Sequence, residues 1–107
     1  MDAPVSSVPE PLLTRIVDVW HPVAVWLFGS RARGDARDGS DWDLAVVLPD
    51  DAPDRMLDPI EARRAVRSLR LPVDVIPVRR ADFEEGRHYF GSLAQIIVDE
   101  GRLVYGA

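Results

Sequence analysis

Two aspartates one residue apart, Asp41 and Asp43, open an apolar stretch, Leu44-Ala45-Val46-Val47-Leu48. Side chains alternate across a strand, so both carboxylates face one way, with Cα atoms about 6–7 Å apart. Trp42, Leu44, Val46 and Leu48 face the other way, into a core. Carboxylates at that spacing can converge on one or two ions. Asp74 sits inside a second apolar stretch, Leu71-Pro72-Val73-Asp74-Val75-Ile76-Pro77-Val78. An ionised carboxylate there is costly without a partner. If the two strands are neighbours, three carboxylates share one patch and repel one another. A divalent cation removes that conflict, and an incomplete set of hard oxygen ligands suits Mg²⁺ or Mn²⁺. Each residue also has a plainer reading. Asp41 can end a loop, Asp43 can be a solvated strand residue, and Asp74 can pair with Arg79 or Arg80. A bare Asp-x-Asp is common.

The segment upstream changes the balance. Gly29-Ser30 follows the continuous apolar run Val23 to Phe28. Glycine lets a backbone turn sharply and approach a ligand. Ser30 offers a hydroxyl and an N–H at the expected start of a short helix, where anions are favoured. Arg31, Arg33 and Arg37 are close by, and arginine suits phosphate oxygens. Arg31 and Arg37 are read as solvated surface charges. A phosphate-binding turn is thus separated from a metal-binding strand by ten residues, 31–40.

Other chemistries are excluded by composition. The chain has no cysteine, so disulfides, thiolate catalysis and Cys-type zinc sites are out. It has no lysine, so a Walker A phosphate loop and Schiff-base chemistry are out. A net charge of −5 argues against a protein that grips nucleic acid through its phosphates. No segment reaches the roughly 20 apolar residues of a membrane span. Met1-Asp2-Ala3-Pro4 lacks the pattern of a signal peptide, so the expected location is the cytoplasm. His21 and His88 stand in no metal or nucleophile spacing. Asp50, Asp51, Asp54 and Asp58 lack the EF-hand spacing and glycine, and are read as a loop and a helix cap.

The elements that must position these residues follow from periodicity and punctuation. At 107 residues the expectation is a flexible tail over 1–6 and one domain over 7–107. Ser7 to Glu10 fits a capping box, and Leu12, Leu13, Ile16, Val17 and Trp20 share the face of a helix that Pro22 stops. Strands are predicted over Val23–Phe28, Trp42–Leu48 and Leu71–Val78. Asp58-Pro59-Ile60-Glu61 opens a helix to about Leu69. Asp82 to Glu85 is a helical turn. His88 to Glu100 reads as a last helix with Phe90, Leu93, Ile96 and Ile97 inward and Gly101 as its left-handed end. Leu103–Tyr105 is a short edge strand. Trp20, Trp26, Phe28, Phe83, Tyr89 and Phe90 are read as core. The class is α/β, or more strictly α+β, with helices against a small mixed sheet.

With these elements in place, Gly29-Ser30-Arg31-Ala32-Arg33-Gly34 … Ser40-Asp41-Trp42-Asp43-Leu44 resembles the signature of the polymerase β-like nucleotidyltransferases. The nearest likeness is to the minimal nucleotidyltransferases of prokaryotes, often the antitoxin partners of HEPN-domain toxins. It runs over about residues 22–105, with Asp74 in Val73-Asp74-Val75-Ile76 matching the third family carboxylate. The resemblance implies a polymerase β-like fold. It implies that Gly29, Ser30 and Arg33 bind the nucleotide, with Ser40 a further candidate. It implies that Asp41, Asp43 and Asp74 are the catalytic residues and the ligands of two Mg²⁺ or Mn²⁺ ions. Trp42 stands where the family usually has a smaller apolar residue. The implied reaction is transfer of a nucleoside monophosphate, AMP from ATP in the first instance, to a hydroxyl of a partner protein, a HEPN toxin, in a homo- or hetero-oligomer. Two alternatives remain at this point. One is an antitoxin that acts by occlusion without catalysis. The other is a small-molecule nucleotidyltransferase of the aminoglycoside type.

Overall fold

The computed structural model describes residues 8–106. The expected tail over 1–6 and the capping role of Ser7 lie outside the described residues. The first helix, α1 (Glu10–Trp20), takes Pro9 rather than a hydroxyl residue as its N-cap. It ends at His21, which adopts the left-handed conformation, φ 46°, ahead of Pro22. There follow β1 (Ala24–Phe28), the single-turn α2 (Ser30–Arg33) and β2 (Trp42–Leu48). A 3₁₀ turn leads into α3 (Pro59–Val66), then come β3 (Val73–Arg79), α4 (Arg80–Gly86), α5 (Leu93–Glu100) and β4 (Arg102–Gly106).

The sheet has the order β3-β2-β1-β4. β1 is antiparallel to both β2 and β4, while β2 and β3 are parallel and joined by the crossover through α3. The start of α3 is as its sequence dictates. The Asp58 carboxylate accepts a hydrogen bond from the Ile60 N–H, and Pro59 fills the first helical position.

Both faces of the sheet carry a core. On one face Leu12, Ile16 and Trp20 of α1 and Ala62 and Val66 of α3 cover Val25, Leu27, Trp42, Leu44, Val46, Leu48 and Val75. The Trp20 indole N–H donates to the Met56 carbonyl (3.1 Å), and the Arg15 guanidinium donates to the Ala65 carbonyl (2.7 Å), which ties α1 to α3. The other face carries a smaller cluster of Ala24, Ala45, Val47, Phe83 and Ile97, with Trp26, Phe28 and Val78 half-buried beside it. Trp26 and Phe83 meet at 6.1 Å between ring centroids. The face that carries Asp43 is therefore not simply a solvent face: further along the same strands it is packed.

The last helix departs most from expectation. It begins at Leu93, not His88. Gly91 turns with φ 79°, the Ser92 hydroxyl accepts from the Gln95 N–H, and the Gln95 side chain accepts from the Gly91 N–H. These bonds start the helix five residues late and turn its apolar side outward. Ile97 is buried, but Phe90 is 97% exposed, and Leu93, Ile96 and Tyr89 are also exposed. Gly101 has φ −88° and is extended, not left-handed. Glycine is required there by space, because a Cβ would strike the carbonyl oxygens of Ile97 and Leu27.

Candidate functional site

Two of the three aspartates, Asp43 and Asp74, are brought to one end of the sheet by strand register. Asp43 pairs with Asp74 across the parallel β2–β3 ladder, and with Phe28 across β1. Directly paired residues point to the same face, on strands about 4.8 Å apart. Asp41 lies two residues earlier, just ahead of β2, and is exposed.

Gly29 links this patch to the turn. It adopts φ 75°, and a Cβ at this position would collide with the Asp43 carboxylate. Asp43 thus fills the space that glycine leaves. α2 starts at the next residue, Ser30, with the Ala32 and Arg33 N–H groups bonded to the Gly29 carbonyl.

The burial cost falls on a different carboxylate from the one expected. Asp74 is exposed. Among the described residues it makes no ion pair with an arginine, since Arg79 is held by Asp54 (2.6 Å) and by the Ala52 carbonyl (2.8 Å). It is Asp43, half-buried between Gly29 and the strands, whose carboxyl is pushed above the ordinary carboxylate value. Desolvation is the main cause, followed by the charges of Asp74 and then Asp41, with Arg33 pulling the other way. Asp43 therefore senses both other aspartates and Arg33.

Arg33 is engaged at the rim by Asp35 (3.4 Å) and by Glu100 at the end of α5 (3.3 Å). Its own pKa is raised, first by the hydrogen bond to Glu100 and then by Asp35. Arg31, read from sequence as a surface charge, instead donates through two of its nitrogens to the Ser40 carbonyl (2.9 and 3.3 Å). Its guanidinium lies over the Trp42 ring at 4.3 Å. Ser40 closes the turn that precedes Asp41: its hydroxyl accepts from the Arg37 N–H, and its own N–H bonds the Arg37 carbonyl (both 2.9 Å). No single residue in the sequence signals the Arg31 contact, because it depends on how the loop 34–41 folds back.

The donor chemistry of the patch fits divalent cations: three hard carboxylates, one of them disfavoured as an anion by burial and then by its neighbours' charge. As the side chains stand, no three His, Cys, Asp or Glu groups among the described residues are gathered closely enough to hold an ion. Three acidic residues of the loop after β2 and the α3 cap have structural partners. Asp50 accepts from the Ala81 N–H, Asp54 holds Arg79, and Asp58 caps α3. An apolar hollow of about 310 Å³ opens on the same sheet face, lined by Ala45, Ile76, Pro77, Phe83, Leu93 and Ile97 among others. Ala45 and Ile76 are two positions along their strands from Asp43 and Asp74. Among the described residues no helix is long and apolar enough to cross a membrane.

Residues 10–104 match the family model described as the nucleotidyltransferase domain. Among solved structures, a toxin–antitoxin crystallised with AMP-PNP is 24% identical, over 94% of this chain and 75% of that one, with a TM-score of 0.63. A mutant of the toxin–antitoxin MntA-HpeT is 22% identical over the same shares, with a TM-score of 0.60. A nucleotidyltransferase-like protein of Sulfolobus solfataricus is 20% identical, over 90% of this chain and 75% of that one, with a TM-score of 0.56. At these identities the likeness is one of fold. No curated protein matches the sequence.

Proposed function

We propose that this chain, which belongs to the nucleotidyltransferase domain family, transfers AMP from ATP to a hydroxyl of a partner protein, a HEPN-type toxin that it thereby neutralises. The observation that carries this reading is the register of Asp43 against Asp74, with the Gly29 turn packed directly on Asp43. It sets a nucleotide-binding turn and a set of carboxylates against one another.

Gly29, Ser30 and Arg33 bind the triphosphate, with Ser40 as a further nucleotide contact. Asp41, Asp43 and Asp74 hold Mg²⁺ or Mn²⁺, which when bound supplies charge neutralisation for the triphosphate and the leaving group. Asp74 stands on the acceptor side and helps to activate the acceptor hydroxyl. The acceptor hydroxyl gives its proton to the Asp74 carboxylate as its oxygen bonds to the α-phosphorus, the bond from that phosphorus to the bridging oxygen breaks, and pyrophosphate leaves. Most of the protein's contribution is positioning and charge.

A protein acceptor is supported by exposed apolar residues around the start of α5. Phe90, Leu93 and Ile96 are exposed, and large apolar side chains left open close together in sequence suit a docking surface. The likeness in fold to toxin–antitoxin structures supports the partner class. Incubating the purified pair with labelled ATP and Mg²⁺ tests the proposal: label is expected on the partner, and a folded complex that stays unlabelled overturns it.

A second reading is neutralisation by occlusion alone. It is favoured by the same exposed apolar residues. A chain carrying both Asp41→Asn and Asp43→Asn separates the two. Toxin neutralisation that survives in it favours occlusion.

A further inference from the structure

Asp41 is the member of the carboxylate set with least to hold it. It lies outside the β2 ladder, which begins at Trp42, where the N–H donates to the Pro72 carbonyl (2.8 Å). It is exposed, and the loop before it, 34–40, is polar and contains Gly34 and Gly39. A ligand carboxylate in that position needs its backbone fixed by something else, because a site loose by about 1 Å loses much of its power.

Arg31 brackets it on both sides. The carbonyl that receives the two Arg31 N–H groups belongs to Ser40, so it lies in the peptide plane that leads into Asp41. The ring beneath the guanidinium belongs to Trp42, the residue that follows Asp41. Trp42 is itself fixed, buried among Leu44, Ala32 and Val75 in the larger core. A planar guanidinium can stack on a ring and donate in its own plane at once; an ammonium cannot. Arg31 also follows Ser30 directly. One side chain therefore ties the nucleotide-binding turn to the backbone of the first carboxylate.

We propose that Arg31 is a positioning residue for Asp41, acting through the Ser40 carbonyl and the Trp42 ring, and that the tryptophan between the two aspartates serves as its platform. This rests on the nucleotidyl-transfer reading of the site. It assigns Arg31 to the carboxylate half of the site rather than to solvent or to the nucleotide.

The test reads Mn²⁺ binding by electron paramagnetic resonance, with Mn²⁺ as the only ligand, and compares wild type with D41N, R31A, R31K, W42L and W42F. Each protein is measured well below its own thermal midpoint, so that only folded protein is scored. Removing a group that orients a metal ligand typically costs about 10–100-fold in metal affinity, so R31A is expected to weaken Mn²⁺ binding about tenfold. W42L loses the stack but keeps the Ser40 bond, and is expected to weaken it about threefold. R31K, which keeps a donor but not the planar stack, falls between wild type and R31A, and W42F stays near wild type. If D41N weakens binding while R31A and W42L match wild type, the role of Arg31 is overturned and the carboxylate reading stands. If D41N matches wild type, or wild type binds no Mn²⁺, the carboxylate reading fails and takes this proposal with it. A lowered thermal midpoint in R31A with unchanged Mn²⁺ affinity means a merely structural residue, which also overturns it. In the transfer assay R31A should lower kcat and leave KM for ATP within about twofold. A raised KM with unchanged kcat would mean that Arg31 grips the nucleotide itself, and the proposal would be wrong.

Discussion

The two faces of the sheet are built from the same strands and differ in what they are made to do. Under α1 and α3, Leu12, Ile16, Val25, Leu27, Leu44, Val46 and Leu48 are buried to at most 0% exposure and the cluster they form contains no charged group. Under α4 and α5 the packing stops part of the way along. Beyond Ala45 and Ile76 the same strands carry Asp43 and Asp74, and α5 with the turn before it leaves Phe90, Leu93 and Ile96 uncovered. The first face concentrates stability. The second gives up apolar closure to bring like charges together and to keep a surface open. Pairs of neighbours in sequence, such as Asp43 and Leu44, thus serve opposite ends, because alternation sends them to opposite faces.

This contrast can be broken most decisively at the carboxylates. The double variant with Asp41→Asn and Asp43→Asn should lose transfer activity by about 10³-fold, on the scale of losing a principal electrostatic group, without losing its fold. The thermal midpoint near neutral pH should rise, not fall. Asp43 has a folded pKa above its unfolded one, so the stability linked to it is complete below the unfolded value and is lost as pH rises through the folded value. At neutral pH the charged form works against folding, and Asn removes that opposition. The gap between D43N and wild-type midpoints should close on acidification below the ordinary carboxylate range. A variant that melts lower than wild type at neutral pH would mean that the carboxylates hold the fold together, and the division between faces would be false.

The next test sets one apolar residue of each face against the other. Leu27→Ala should cost about 2–5 kcal/mol by chemical denaturation, from lost burial and the cavity left behind. Phe90→Ser, at a residue 97% exposed, should change stability by less than about 0.5 kcal/mol. It should still weaken binding of the partner about tenfold or more in a titration, as exposed aromatic anchors do. Equal losses of stability would erase the contrast.

The smallest effect is expected where the two faces' roles meet at Arg33. Glu100→Gln removes one of the two carboxylates that occupy this guanidinium. It should lower KM for ATP about twofold at low salt, in keeping with an exposed ion pair, and the difference should fade as salt rises. A higher KM would show that Glu100 orients Arg33 rather than competing for it.

Much of this was legible in the residues. The alternation from Trp42 to Leu44, the cap at Asp58, and the strand bearing Asp74 all follow from local rules, and the structure places them so. Gly29 could be read as a turn but not as the space that Asp43 fills, because that contact comes from the pairing of β1 with β2. The burial cost was assigned to Asp74 from its apolar neighbours in sequence. It falls on Asp43, since Asp74 lies on an edge strand and Asp43 on an inner one. The second core was hidden in the unbroken run Leu44 to Leu48, where continuous apolarity, not alternation, marks a strand packed on both faces. The late start of α5 had a readable sign, Gly91-Ser92 with Gln95 three residues on, the form of a capping box. A helical apolar period running back to Phe90 obscured it. The Arg31 contact had no such sign, being made by a loop rather than by a period.

The parallel pairing of β2 with β3 has a consequence in time. Gly29, Ser30, Asp41 and Asp43 lie close together along the chain and meet through an antiparallel pair, which can close early. Asp74 arrives only after the α3 crossover is complete and β3 has docked, and such distant parallel pairings are slow to form. A chain caught part-way through folding holds its turn and two of its carboxylates but lacks the third. Competence for the proposed transfer is therefore acquired only once β3 has docked, and the onset of that activity during refolding would serve as a clock for the docking of that edge strand.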